Sequence, residues 1–124
     1  MFRVIIAGGR DFDNYELLKR KMDYLLSETV EPIQVVCGQA MGADRLGQLY
    51  AKERGFEIRY FPANWSYYGK KAGPLRNEQM AQNADALVAF WDGESRGTKN
   101  MIENADKYNL KIRIIKYKME AMPC

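Results

Sequence analysis

The chain has 124 residues, of which 47% are hydrophobic, and a net charge of +3. These values fit one globular domain, and no apolar run approaches the ~20 residues of a membrane helix. The small positive charge argues against nucleic acid as the main partner, and the absence of histidine removes Ser-His-Asp and Cys-His catalysis together with every histidine-containing zinc site.

Met1-Phe2-Arg3-Val4 enters a strand directly, without the layout of a signal peptide, so a cytoplasmic protein is expected. The first strand spans Phe2 to Ala7. Asp13 then has the look of a helix cap, with Glu16 completing a capping box and Tyr15, Leu18, Met22 and Leu25 following at helical spacing. The second strand is Ile33 to Cys37, and its cysteine reads as a buried thiol rather than half of a disulfide with Cys124. A helix from Gly42 to Arg54 stops at Gly55. The third strand is Glu57 to Phe61, a loop runs from Pro62 to Ala72, and a helix from Gly73 to Asn83. The fourth strand is Ala86 to Trp91. The last helix runs from Gly97 to Tyr108, with Asn109 able to end it, and the fifth strand is Lys111 to Tyr117. Residues 1–117 thus form one domain, and a loose tail from Lys118 to Cys124 is expected.

Strands and helices alternate, which predicts a parallel sheet with helices on both faces. The first and fourth strands are almost continuously apolar, as central parallel strands are. The third and fifth carry charges inside the run, at Arg59 and Arg113, which suits edges. The order 3-2-1-4-5 satisfies both patterns, giving an α/β, three-layer, Rossmann-like fold. It places the first and fourth strands side by side at the switch point, where ligands of open α/β sheets bind beyond the carboxyl ends of the strands.

The turns at that end carry the candidate site. Gly8-Gly9-Arg10 reads either as a phosphate or ribose contact or as a tight turn with a solvated arginine. It lacks the spacing of the dinucleotide fingerprint. Under the first reading, Gly9→Val is expected to fill the ligand's space. In the second turn, Gly38 and Gly42 can bring backbone amides to an anion, whereas the Asp44 carboxylate suits ribose hydroxyls better than phosphate, or simply stabilises a helix dipole. Trp65, Tyr67 and Tyr68 lie beside Lys70 and Lys71, either to stack on a base or to latch the sheet or a subunit interface. Arg76 and Asn77 are expected in the first turn of a helix, where an arginine opposes the dipole and so points to a ligand or a structural partner. Asp92, Gly93, Arg96, Gly97 and Thr98 form the turn after the fourth strand. The basic run Lys111, Arg113, Lys116 and Lys118 reads as protection of an edge strand. No metal or resident cofactor is expected.

Taken together the turns resemble the DprA/LOG (SLOG) superfamily over roughly Met1 to Tyr117. The first strand of DprA-like proteins ends in G-S-R, here Gly8-Gly9-Arg10. Their second turn reads S-G-x-A-x-G-x-D, here Cys37-Gly38-Gln39-Ala40-Met41-Gly42-Ala43-Asp44. Their R-N pair is Arg76-Asn77. The R-K-x-x-M, A-D-A and G-T segments of the LOG branch correspond to Arg76 to Met80, Ala84-Asp85-Ala86 and Gly97-Thr98. The nearest likeness is to the small YspA/YpsA-related branch. The resemblance implies a nucleotide-binding Rossmann-like domain. LOG enzymes hydrolyse the N-glycosidic bond of nucleoside 5′-monophosphates with an Arg, matching Arg76, and the Glu of G-T-x-x-E. That Glu position is Met101 here, Glu103 is expected to face elsewhere, and the P-G-G turn is replaced by Trp91 to Arg96.

Two functional classes follow. The first is binding or sensing of a small nucleotide-type ligand, a nucleoside phosphate or ADP-ribose derivative. The second is a phosphoribohydrolase-like enzyme in which Asp44 or Asp92 handles protons and Arg76 holds the phosphate. A third reading, single-stranded DNA binding as in DprA, sits poorly with the modest charge. A homodimer is expected, since helix faces carrying Tyr and Met can bury against a second copy and LOG-like relatives self-associate.

Overall fold

The computed structural model describes residues 1–38 and 40–117. In chain order its elements are β1 (Phe2–Gly8), α1 (Tyr15–Leu26), β2 (Ile33–Cys37), α2 (Ala43–Arg54), β3 (Glu57–Tyr60), α3 (Trp65–Tyr68), a 3-10 turn (Gly69–Lys71), α4 (Ala72–Gln82), β4 (Ala86–Trp91), α5 (Arg96–Lys107) and β5 (Lys111–Lys116). The strands pair in parallel in the order β3-β2-β1-β4-β5, as the distribution of apolar and charged residues predicts. The register of β1 against β4 runs from Val4↔Ala86 to Gly8↔Phe90, so the first turn emerges beside the end of β4.

Alternation along β1 divides the core in two. Val4 and Ile6 pack with Leu18, Met22 and Leu26 of α1 and Tyr50 and Ala51 of α2. Ile5 and Ala7 pack on the opposite face with Met80 and Ala81 of α4 and Met101 and Ala105 of α5. Each fully buried Leu or Met contributes roughly 1.5–3 kcal/mol of transfer free energy. Gly47 brings α2 close to the sheet, because a Cβ there would lie 2.8 Å from the Ile6 side chain. Cys37 is buried, as expected.

Several local expectations are corrected. The cap of α1 is Asn14, not Asp13: the chain turns one residue later, and the Asn14 side chain accepts the Leu17 amide at 3.0 Å. That shift leaves Glu16 in the first turn and no reciprocal capping box. The segment read as a loop from Pro62 contains α3, capped by Asn64, and the 3-10 turn. These run directly into α4, which starts at Ala72 and so places Arg76 and Asn77 in its second turn, beyond the strongest field of the helix end. Gly55 and Asn109 adopt the expected left-handed conformation, at φ 73° and 60°. The tail from Lys118 to Cys124 lies outside the described residues.

Gly42 and Gly55 both have positive φ, at 74° and 73°, but their surroundings differ. A Cβ on Gly55 would meet nothing within 4 Å, whereas one on Gly42 would lie 2.2 Å from the Gly9 carbonyl oxygen. Gly55→Ala is therefore expected to lower stability by about 1–2 kcal/mol, the strain of a left-handed L-residue. Gly42→Ala is expected to lose a further ~1–3 kcal/mol from the steric collision. Urea unfolding of both variants measures the difference, and equal losses would contradict it.

Candidate functional site

The site is built where the first two turns meet. The Gly9 amide donates to the Phe90 carbonyl at 3.1 Å, and the Gly9 carbonyl accepts the Ala43 amide at 3.2 Å. The first free amide of α2 is thus spent on the turn after β1. The contact leaves no room for side chains: a Cβ on Gly8 would sit 2.2 Å from the Phe90 carbonyl oxygen and 2.8 Å from Ala43 Cβ. Gly8 and Gly42 are accordingly required by backbone approach, independently of any ligand.

One residue into α2, this arrangement buries Asp44, which is only 6% exposed. Burial is the largest influence on its carboxyl and pushes its pKa up to about 6, against the partial relief of the Arg76 guanidinium and the Ala40 and Gly38 amides. The Ala40 amide donates to Asp44 Oδ2 at 3.3 Å. Arg76 and Asp44 flank Gly38, where an added Cβ would meet Arg76 Nη1 at 2.7 Å and Asp44 Oδ2 at 2.8 Å. Arg76 is held by two bonds. Its Nη1 donates to the Gly38 carbonyl, and its Nε donates to Asn77 Oδ1 at 3.1 Å. Asn77, itself buried, donates from Nδ2 to Asn100 Oδ1 at 2.9 Å. Asn100 also accepts from Asn104 Nδ2, so α4 and α5 are joined by amide side chains.

These groups border a cleft of about 410 Å³. Gly8, Arg10 and Asp44 line it from the first two turns, Arg76 and Asn77 from α4, and Arg96, Gly97 and Thr98 from the start of α5. Three arginines and one buried carboxylate therefore line the same cleft, with Arg76 the arginine that acts on Asp44. The N-terminal turn of α5 faces the same space, capped by Ser95, whose Oγ accepts the Thr98 amide at 3.4 Å. A helix start together with guanidinium groups is a setting for a bound anion.

Other residues singled out from the sequence lie elsewhere. Gly9, Gly42, Asp92 and Gly93 do not line the cleft, and Gly38 lies behind it between Arg76 and Asp44. A Cβ on Gly9 would strike Tyr117 Oη at 2.0 Å and Asp11 Oδ1 at 2.9 Å. Gly9→Val would thus collide with the Tyr117–Asp11 hydrogen bond of 2.7 Å, at a position off the cleft lining. Asp92 Oδ1 accepts the Glu94 and Ser95 amides, both at 2.8 Å, which holds its carboxyl below the usual range and organises the turn before α5. A group so occupied is poorly suited to proton transfer. Met101 lines the cleft and is buried, whereas Glu103 of the same helix is exposed.

Ser95 and Asn100 also line the cleft and were not marked as site residues by the sequence. Ser95 carried a readable signal, a serine three residues before Thr98 at the start of a helix. Asn100 carried none, since only the packing of α5 on α4 gives it Asn77 as a partner. Trp65, left open between base stacking and a structural latch, is part of the cleft wall.

Comparison with known proteins agrees with this architecture. The family model of the YspA, cpYpsA-related SLOG family (YAcAr) matches residues 2–68. Gene 61 protein of Mycobacterium phage D29 is 32% identical over 118 residues, covering 90% of this chain and 94% of that protein. DNA processing protein A (DprA) from Streptococcus pneumoniae shares the fold with a TM-score of 0.72 at 15% identity. The alignment covers 95% of this chain but 51% of DprA, so the chain spans about half of that protein. The solved structure of TM1055 also shares the fold, with a TM-score of 0.65 at 17% identity over 90% of this chain and 72% of that one. With a family model matching more than half of its length, and a phage relative aligned almost from end to end, the chain belongs to the YspA, cpYpsA-related SLOG family.

Proposed function

We propose that the cleft binds a small nucleotide-type ligand, a nucleoside phosphate or an ADP-ribose derivative. The observation that carries this reading is that Arg10, Arg76, Arg96 and the start of α5 line the same cleft as the buried carboxylate of Asp44. The cationic groups match phosphate, and the carboxylate matches sugar hydroxyls, which donate to it without charge repulsion. Membership of a superfamily that includes nucleotide-binding and nucleotide-processing proteins supports the same class.

One observation favours turnover as a second reading. A carboxyl with a pKa of about 6 is suited to give a proton near neutrality. In a hydrolase, water would add to the anomeric carbon as the bond to the base breaks, Asp44 would protonate the departing base, and the Asp44 carboxylate so formed would take up the proton released by the water. Against this, Met101 stands where the LOG enzymes place their glutamate, and a thioether exchanges no proton. Loss of an acid–base group costs about 10²–10⁴-fold in rate, so binding without turnover is the reading adopted.

Calorimetric titration with AMP and ADP-ribose tests the binding. Arg76→Ala and Arg96→Ala are each expected to weaken it by about 10–100-fold, the loss of a charged hydrogen bond. Circular dichroism checks that the fold survives removal of the Arg76–Gly38 bond. Unchanged dissociation constants in both variants would place the ligand elsewhere.

Chromatography of AMP incubated with the protein is expected to show no free base above the buffer control. Base release that disappears in Asp44→Asn would make the hydrolase reading the better one.

The buried charge also has a pH signature. The folded pKa of Asp44, about 6, lies above its ordinary 3.8, so the folded state retains the proton longer than the unfolded state. This contribution to stability is lost as pH rises from about 4 to about 6, and the difference is worth about 3 kcal/mol once Asp44 is ionised. At pH 7, Asp44→Asn should therefore stabilise the protein by about 1–3 kcal/mol and flatten the slope in that window, while weakening nucleotide binding. Urea unfolding across pH reads the stability, and a destabilised Asp44→Asn would show that the carboxylate is held by more than these contacts.

A further inference from the structure

Trp65 is left unusually open for an indole. It lines the cleft yet is 54% exposed, although burying an aromatic ring is among the more favourable contributions a folding chain has available. Its place is nevertheless built. The Asn64 side chain accepts the Tyr67 amide at 3.2 Å to start α3, and the Gly69 amide closes the turn on the Trp65 carbonyl.

Gly73 of α4 sets the attitude of the ring. A Cβ on Gly73 would lie 3.2 Å from Trp65 Cη2 and 4.0 Å from both Cζ2 and Cζ3. Equal and distinctly longer distances to the two neighbouring atoms mean that Gly73 meets the ring at its edge. An approach onto the face would bring all three atoms to more nearly the same distance. The indole therefore presents its edge, not a face, to Gly73 of α4.

Trp91 has the Lys116 ammonium over its ring and Tyr67 pairs edge-on with Tyr68. Among the described residues, no aromatic ring or cation covers Trp65.

We propose that Trp65 is the base platform of the cleft: the heteroaromatic base of the ligand stacks on an open indole face while its phosphate-bearing end meets the arginines. The inference rests on the nucleotide reading above and deepens it, since it requires a ligand with an aromatic base and excludes a bare sugar phosphate as the preferred occupant. Stacking is tolerant of base identity because every base has a π face, so Trp65 selects for the presence of a base rather than for one base.

The test compares AMP, ADP-ribose and ribose 5-phosphate by calorimetry on the unmodified protein, Trp65→Ala and Trp65→Phe. Being half exposed, Trp65 can be truncated without opening a core cavity, and thermal unfolding verifies this. AMP or ADP-ribose is expected to bind Trp65→Ala roughly 5–150-fold more weakly than the unmodified protein. Trp65→Phe should recover most of that loss, and ribose 5-phosphate should bind all three proteins alike, more weakly than AMP. Equal binding of AMP by the unmodified protein and Trp65→Ala, or ribose 5-phosphate as tight as AMP, overturns the role of Trp65 and leaves the nucleotide reading standing. Failure of all three ligands to bind the unmodified protein overturns both.

Discussion

The architecture of the cleft depends on the contact between two backbones. The carbonyl of Gly9 accepts the first amide of α2, and Gly8 and Gly42 keep that approach free of side chains. Because β1 is paired to β4 as far as Gly8↔Phe90, the contact also fixes where α2 starts relative to the end of β4. Asp44 is buried as a consequence. Its position is a product of the close approach, and the desolvation that raises its pKa follows from the same contact.

A buried ionisable group of this kind is a conflict between stability and chemistry. The protein moderates it with backbone amides and with Arg76 across Gly38, and Arg76 is in turn held by Asn77 and Asn77 by Asn100. The polar chain thus runs from the α2 face of the sheet to the α5 face. Arg76 is fixed on two sides before a ligand arrives, which reduces the side-chain entropy lost on binding.

The sheet order was legible because burial on both faces writes itself into continuous apolar runs such as Val4-Ile5-Ile6 and Leu87-Val88-Ala89-Phe90, while edge strands tolerate Arg59 and Arg113. Residues lining the candidate cleft were legible where one turn carried the signal, as with Arg10, Asp44 and Arg76. Others fall outside the cleft lining, where the outcome depended on which way a backbone faced. Gly9 and Gly8 are adjacent and chemically identical, yet one faces Tyr117 and the other the cleft end of β4. Asp92 looked available until its carboxylate met the amides of its own turn. The short helix at Trp65 was hidden because four residues carry too little periodicity to register.

The hydrogen bond from Tyr117 to Asp11 joins residues 106 positions apart. Phe12, stacked on Phe90 and tilted against Tyr117, extends the same junction into the core. The turn after β1 is thus closed by residues from the far end of the described chain. In a parallel sheet such distant pairings form late, because the loop entropy is spent before the contact rewards it. The turn after β1 therefore takes its final form only when β5 is docked beside β4, so a change that loosens the last strand also loosens the first turn.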